Sequence, residues 1–267
     1  MAISTVIFDF GRTLVKPSGI YPEEAASYLL SRADGAPSVE PKDLVDFDET
    51  VFQDMLERRE PAGLDFQLSQ YLNLLQACLG LRFDGDPDEI AFECWLRKYE
   101  PQLEDGATEC VRQLKSNRAK LGLLSNTVLS GKSVKLALGR LGILDFFDAI
   151  LCSSDVAYRK PNDLIYRAIL NLLKAKPEET VMVGDSLEDD IAGAASCGMT
   201  TVWYNPDGAP GSSVEPDHVV SDLRTVPSVL GFPRPGCATT CCRISAGQRR
   251  ALQGRNKPIE GTRLNEP

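Results

Sequence analysis

The sequence predicts an α/β protein, a doubly wound parallel sheet interrupted by an all-helical insertion. Three observations carry that prediction. An apolar β-type run, Val6-Ile7-Phe8, ends in Asp9 and passes at once into a turn with Gly11 and Thr13. From about residue 103, strand-like and helix-like stretches alternate, the pattern of parallel strands joined by crossover helices. Between these regions, from about residue 16 to 100, β-type runs disappear and apolar residues recur at three- and four-residue steps.

In that insertion Ala25, Tyr28, Leu29 and Leu30 form one apolar cluster. Val51, Phe52, Met55 and Leu56 form a second, and Leu68, Tyr71, Leu72, Leu75 and Leu79 a third. Ala91, Trp95, Leu96 and Tyr99 make the last. Pro22, Pro41, Pro61 and Pro87 fall at expected starts or breaks. A helix with Cys110, Val111 and Leu114 then leads into a strand over Lys120–Ser125. The next helix carries Val134, Leu138 and Leu141, with Gly142 as its stop. A strand at Ala149–Ser153 precedes a helix with Leu164, Ile165, Ala168, Ile169, Leu172 and Leu173. Further strands are expected at Thr180–Gly184 and Thr200–Trp203, flanking a helix that starts near Leu187, with a short last strand at Val219-Val220.

The domain reading is therefore residues 1–15 and 101–232 as the α/β core, 16–100 as the helical insertion, and 233–267 as a tail. The tail has seven Lys/Arg against Glu260 and Glu266, few aliphatics and no periodicity, so it reads as a basic, disordered, solvated segment. Its Cys237, Cys241 and Cys242 lack a His or second Cys pair to complete a metal site.

Composition narrows the function. The chain of 267 residues is 43% hydrophobic and 25% charged, ordinary for a globular protein of one or two domains. A net charge of -9 argues against nucleic acid or an anionic membrane surface as partner. No 18-residue apolar run exists, and the first strand starts too near Met1 for a targeting segment. Cys78, Cys94, Cys110, Cys152 and Cys197 read as small buried hydrophobes, which fits a cytoplasmic location.

Asp9 stands at the C-terminal end of an apolar strand, the rim where open α/β sheets place their ligands. Three later segments complete a pattern: Leu123-Leu124-Ser125-Asn126, Arg159-Lys160-Pro161, and Gly184-Asp185-Ser186-Leu187-Glu188-Asp189-Asp190. In order and spacing these resemble the four motifs of the haloacid dehalogenase (HAD) superfamily, from residue 3 to about 230. The first motif there is usually D-x-D-[GN]-T and the fourth G-D-x-x-x-x-D.

That resemblance implies a Rossmann-like HAD core with a helical cap and hydrolysis of a small phosphorylated substrate. Asp9 would be the nucleophile, ionised at neutral pH, forming an aspartyl-phosphate. Mg²⁺ would be held by Asp9, the Gly11 backbone carbonyl and Asp185, with Asp190 acting through water. Asp189, one residue early, would share that task or favour the helix N-terminus. Ser125 and Asn126 would bind or support the phosphate, and Lys160 would neutralise its oxygens. The backbone amides of Phe10 and Gly11 add anion-binding donors. Arg159 takes no assigned role, and His218 reads as structural.

One departure matters: Gly11 stands where the family's second Asp protonates the leaving oxygen. Arg12 cannot replace it, because a guanidinium does not give up its proton. Sequences reading D-x-G-x-[TV] are nonetheless familiar among HAD phosphatases. Two enzymatic alternatives are C–X cleavage of the dehalogenase kind and a phosphonoacetaldehyde hydrolase-like reaction using a Schiff-base Lys, with Lys42 or Lys98 the insertion's candidates. A catalytically silent binding module is the non-enzymatic alternative. The Gly184-Asp185 pair is the phosphate and metal version of the fourth motif, which favours the phosphatase.

Overall fold

The structure is a computed structural model and describes residues 2–34 and 38–234. Among the described residues its strands, in chain order, are β1 (Thr5–Phe8), β2 (Val15–Pro17), β3 (Ala33–Asp34), β4 (Arg82–Phe83), β5 (Pro101–Leu103), β6 (Lys120–Ser125), β7 (Ala149–Cys152), β8 (Thr180–Gly184), β9 (Thr200–Tyr204) and β10 (His218–Val220). Six of them form one sheet in the order β10-β9-β8-β1-β6-β7, every pair parallel. Counted among themselves, the six run outward in both directions from β1, the order of a doubly wound fold.

Strand β1 lies between β6 and β8 and is buried on both faces, so its sequence is a continuous apolar run rather than an alternating one. Alternate residues still serve opposite layers. Val6 and Phe8 join one core with Val111, Leu121 and Val183, while Ile7 joins the other with Leu124, Tyr166 and Met182. Gly122 of β6 allows the helix Asp163–Leu173 to come close. A Cβ there would meet the Leu173 side chain at 2.7 Å and Ile7 at 3.2 Å.

The insertion contains helices Pro22–Arg32, Pro41–Phe47, Gln53–Ala62, Leu68–Leu79 and Pro87–Tyr99. Pro22, Pro41 and Pro87 open their helices, where a missing N–H costs nothing, and Pro61 sits in a last turn. Asp48–Phe52 form a π-helical turn that joins two helices without a break. Leu29, Leu44, Phe52, Tyr71, Leu75 and Ile90 give the insertion its own core.

Two antiparallel ladders are new relative to the sequence reading. β2 pairs with β5 where the chain enters and leaves the insertion, and β3 pairs with β4 inside it. The insertion is thus not purely helical; two- and three-residue strands are too short to show a period. The cysteine reading also needs correction. Cys110 and Cys152 are buried, but Cys78 is exposed and Cys94 and Cys197 are half-buried. The Pro233 carbonyl accepts hydrogen bonds from Gln113 and Asn117. The rest of the tail, with Cys237, Cys241 and Cys242, lies outside the described residues.

Candidate active site

Strands β1, β6 and β8 end side by side and deliver Asp9, Ser125 and Asp185 to one edge of the sheet, next to the reversal of strand order. The Asp9 amide donates to the Val183 carbonyl at 2.9 Å, so β8 holds the residue in register. Carboxylate oxygens of Asp9, Asp185 and Asp190 all lie within 4.8 Å of one another. Gly184 makes that possible: a Cβ at this position would stand 2.2 Å from the Asp190 carboxyl.

Lys160 is buried and its ammonium spends all three donors locally. It reaches Asp9 Oδ1 at 2.7 Å, Asp190 Oδ1 at 2.6 Å and the Leu124 carbonyl at 3.0 Å. The second Asp190 oxygen accepts the Ser186 amide at 3.0 Å. One buried ammonium thus faces three carboxylates. Burial, with the neighbouring Asp190 and Asp185, outweighs the pull of Lys160 and raises Asp9 to about 7. Burial alone would lower Lys160, but Asp190 and Asp9 outweigh it and hold the ammonium above its usual range. Burial and Asp190 also raise Asp185, against Arg12. Full ionisation of Asp9 at neutral pH therefore needs more positive charge than Lys160 alone supplies.

The other expected residues divide. Ser125, Phe10 and Gly11 line a cavity of about 290 Å³ bordered by Trp95 and Tyr99. Among the described residues the Phe10 and Gly11 amides donate to no protein acceptor. Asn126 is already committed: its Nδ2 donates to the Lys160 carbonyl and to Asp189, and its Oδ1 accepts the Lys160 amide. It clamps the lysine's backbone rather than facing the cavity with free donors. Asp189 turns to Asn126 and its amide donates to Ser186, which leaves it outside the carboxylate cluster. His218 lies on β10, three strands from β1 at the sheet's edge, in keeping with its structural reading.

Several residues here were not assigned from the sequence. Thr13 and Arg12 approach the Asp185 carboxylate at 3.5 and 3.4 Å. Arg12 takes a left-handed φ of 61°, at the motif position where Gly or Asn is usual. Arg159 is buried and pairs with Asp65 of the insertion, whose carboxylate also accepts Arg59 and Ser153. The segments Gly63–Asp65 and Ala157–Arg159 exchange backbone hydrogen bonds beside this pair. The insertion is thereby bolted to the loop that carries Lys160. No spacing in the sequence signals a pair 94 residues apart. Asp65→Ala removes the buried anion from two largely buried guanidinium groups, leaving Arg159 only the exposed Glu60 at 3.8 Å, and should cost about 3 kcal/mol or more in denaturant unfolding. A loss under about 1 kcal/mol would deny the bolt its energetic role.

The Schiff-base alternative meets an obstacle in both its lysines. Lys42 is exposed on the helix Pro41–Phe47. Burial would lower Lys98, but Tyr99 and its ion-pair partner Asp48 outweigh that and leave it raised, the reverse of a nucleophilic amine.

A doubly wound parallel sheet with a carboxylate cluster and a buried lysine at its C-terminal edge places the protein among α/β proteins of Rossmann-like topology that carry an insertion after the first strand. Residues 3–198 match the haloacid dehalogenase-like hydrolase family, and the chain belongs to that family. It is similar to the glyceraldehyde 3-phosphate phosphatase of Pyrococcus furiosus, 29% identical over 210 residues, 76% of this chain and 80% of that one. It is 38% identical over 112 residues to a protein of the same name from Methanothermobacter thermautotrophicus, a match spanning 42% of this chain and about half (47%) of the relative. Among solved structures it resembles a HAD phosphatase from Thermococcus onnurineus, at a TM-score of 0.61 and 27% identity, covering 87% of this chain and all of that one. Among the described residues, no helix is long and apolar enough to cross a membrane.

Proposed function

We propose that this protein is a Mg²⁺-dependent hydrolase of small phosphate monoesters, with Asp9 as nucleophile and residues 16–100 as the cap that closes over the substrate. The observation that carries the reading is Lys160 bonded to both Asp9 and Asp190, with Asp185 in the same cluster. The relatives' names, both phosphatases, support it.

The donor set fits a hard divalent cation: three carboxylates with oxygens within 4.8 Å of one another, and a surplus of negative charge that raises Asp9. Asp9, the Gly11 carbonyl and Asp185 would hold Mg²⁺, with Asp190 acting through water. When bound there, Mg²⁺ would neutralise the carboxylates and draw charge from the phosphoryl oxygens.

The Asp9 carboxylate attacks phosphorus, and the bond to the leaving oxygen breaks. Ser125 and the free amides of Phe10 and Gly11 receive the phosphoryl oxygens, while the Lys160 ammonium, held by Asp9 and Asp190, supplies positive charge beside them. Gly11 has no proton to give, so the departing oxygen takes one from water. A second water then attacks the acyl phosphate, releasing phosphate and restoring Asp9. Asp185 and Asp190 favour this chemistry over carbon–halogen cleavage, which has no use for a divalent cation.

Phosphate release from p-nitrophenyl phosphate and simple alkyl phosphates, present with Mg²⁺ and lost with a chelator, tests the reading. Millimolar Mg²⁺ should also raise the melting temperature by about 4 °C or more, because it binds only the folded protein. Asp185→Asn should abolish that shift. A wild-type protein indifferent to Mg²⁺ in both assays would sink the proposal.

A further inference from the structure

The helices of the insertion enclose a second cavity of about 240 Å³, walled by Leu29, Leu44, Phe52, Leu72 and Trp95 among others. It is more than an isolated packing gap. Trp95, Tyr99, Asn126 and Thr127 border it and also border the cavity that holds Ser125 and Gly11. Well-packed interiors leave few voids larger than a water molecule, and a dry cavity of roughly 150 Å³ already admits benzene. This one therefore has room for roughly two fused rings.

Its lining is mostly aliphatic and aromatic. Phe52 and Tyr71 stand with ring centroids 4.6 Å apart on one side, and Trp95 comes from the helix Pro87–Tyr99. Polar groups are fewer: the Asp48–Lys98 ion pair, the Arg59 guanidinium, and Asn126 and Thr127 at the border. The Arg59 Nε–H is buried and has no acceptor among the described residues. An apolar space with a few convergent polar groups is the usual form of a small-molecule site.

We propose that this cavity receives the organic part of the substrate and that this part is aromatic, so that the enzyme acts on aryl-bearing phosphate monoesters. The inference rests on the phosphatase reading for the position of the phosphate, at Asp9. The ring system then passes Trp95 and Tyr99 and lies against Phe52 and Tyr71. A short polyol would leave these walls unfilled and its own hydroxyls without partners.

The test compares ligands whose leaving groups are alike. Binding of 2-(1-naphthyl)ethylphosphonate and of ethylphosphonate to the Mg²⁺-loaded protein is measured by calorimetry, beside hydrolysis of the corresponding phosphates. The naphthyl ligand should bind at least about tenfold more tightly, since it buries a large apolar surface. Ala26→Phe and the milder Ala91→Leu fill the cavity and should bring that ratio below about threefold, with folding checked by melting. A wild-type ratio under tenfold overturns the inference, as does a ratio that neither folded variant changes. If no phosphate is hydrolysed at all, the phosphatase reading fails, while the binding ratio still decides what the cavity takes.

Discussion

Asp9→Asn should abolish phosphate release, with a loss in kcat on the order of 10⁴ or more, because an amide oxygen cannot form the acyl phosphate. Residual activity within about tenfold of wild type, free of contaminating phosphatase, would remove Asp9 from the mechanism. The same substitution has a second readout that a merely inert variant would lack. Burial holds the Asp9 carboxyl at about 7 in the folded protein, against 3.8 for the ordinary group. Between those values the unfolded chain gives up a proton that the folded chain keeps, so stability falls as pH rises. In the presence of a chelator, that slope approaches about 1.4 kcal/mol per pH unit at its steepest. Lys160 does not cancel it, since a raised lysine loses its contribution only above the ordinary lysine range. Asp9→Asn should make the fall of the melting temperature between pH 4 and 7 in chelator less steep, with the raised Asp185 and Asp189 leaving part of it. An unchanged slope would mean that the buried carboxylate is not the source.

Gly11→Asp should raise turnover of alkyl phosphates by about 10²-fold, within the usual range for a general acid. The structure has room for the change. A Cβ on Gly11 meets no atom within 4 Å, and its backbone is not in the left-handed region. The added carboxyl extends from the turn that follows Asp9, beside Ser125 in the same cavity. The gain should depend on the leaving group. p-Nitrophenolate leaves without needing a proton, so the variant should improve p-nitrophenyl phosphate by less than about threefold. Equal gains on both substrates, or none on either in a folded variant, would count against the account of the missing acid. The stepwise contrast also separates a chemical effect from a change in binding, which would appear in KM for both.

The sequence made much of the α/β core legible because its elements follow local rules. The strands at Lys120–Ser125 and Thr180–Gly184 were expected with the bounds they have, and the last strand gained only His218. Parallel strands buried on both faces are continuous apolar runs, and their crossover helices repeat at three and four residues. The helical insertion was legible for the same reason. Its β3–β4 pairing was not, because two residues carry no period.

At the site, the sequence by itself determined which residues stand at the ends of the central strands, Asp9, Ser125 and Asp185, and the family resemblance pointed to Lys160 and Asp190 beside them. Only the tertiary structure decided how those groups are spent. It bonds Lys160 to two carboxylates at once, turns Asn126 toward the lysine's backbone, and separates Asp189 from its neighbour Asp190. It also joins Asp65 to Arg159 and sets an aromatic-lined cavity against the one that Gly11 and Ser125 border. A strand end fixes where a side chain starts, through short-range backbone geometry. The partner it finds depends on groups dozens of residues away, which meet only when the insertion packs against the sheet.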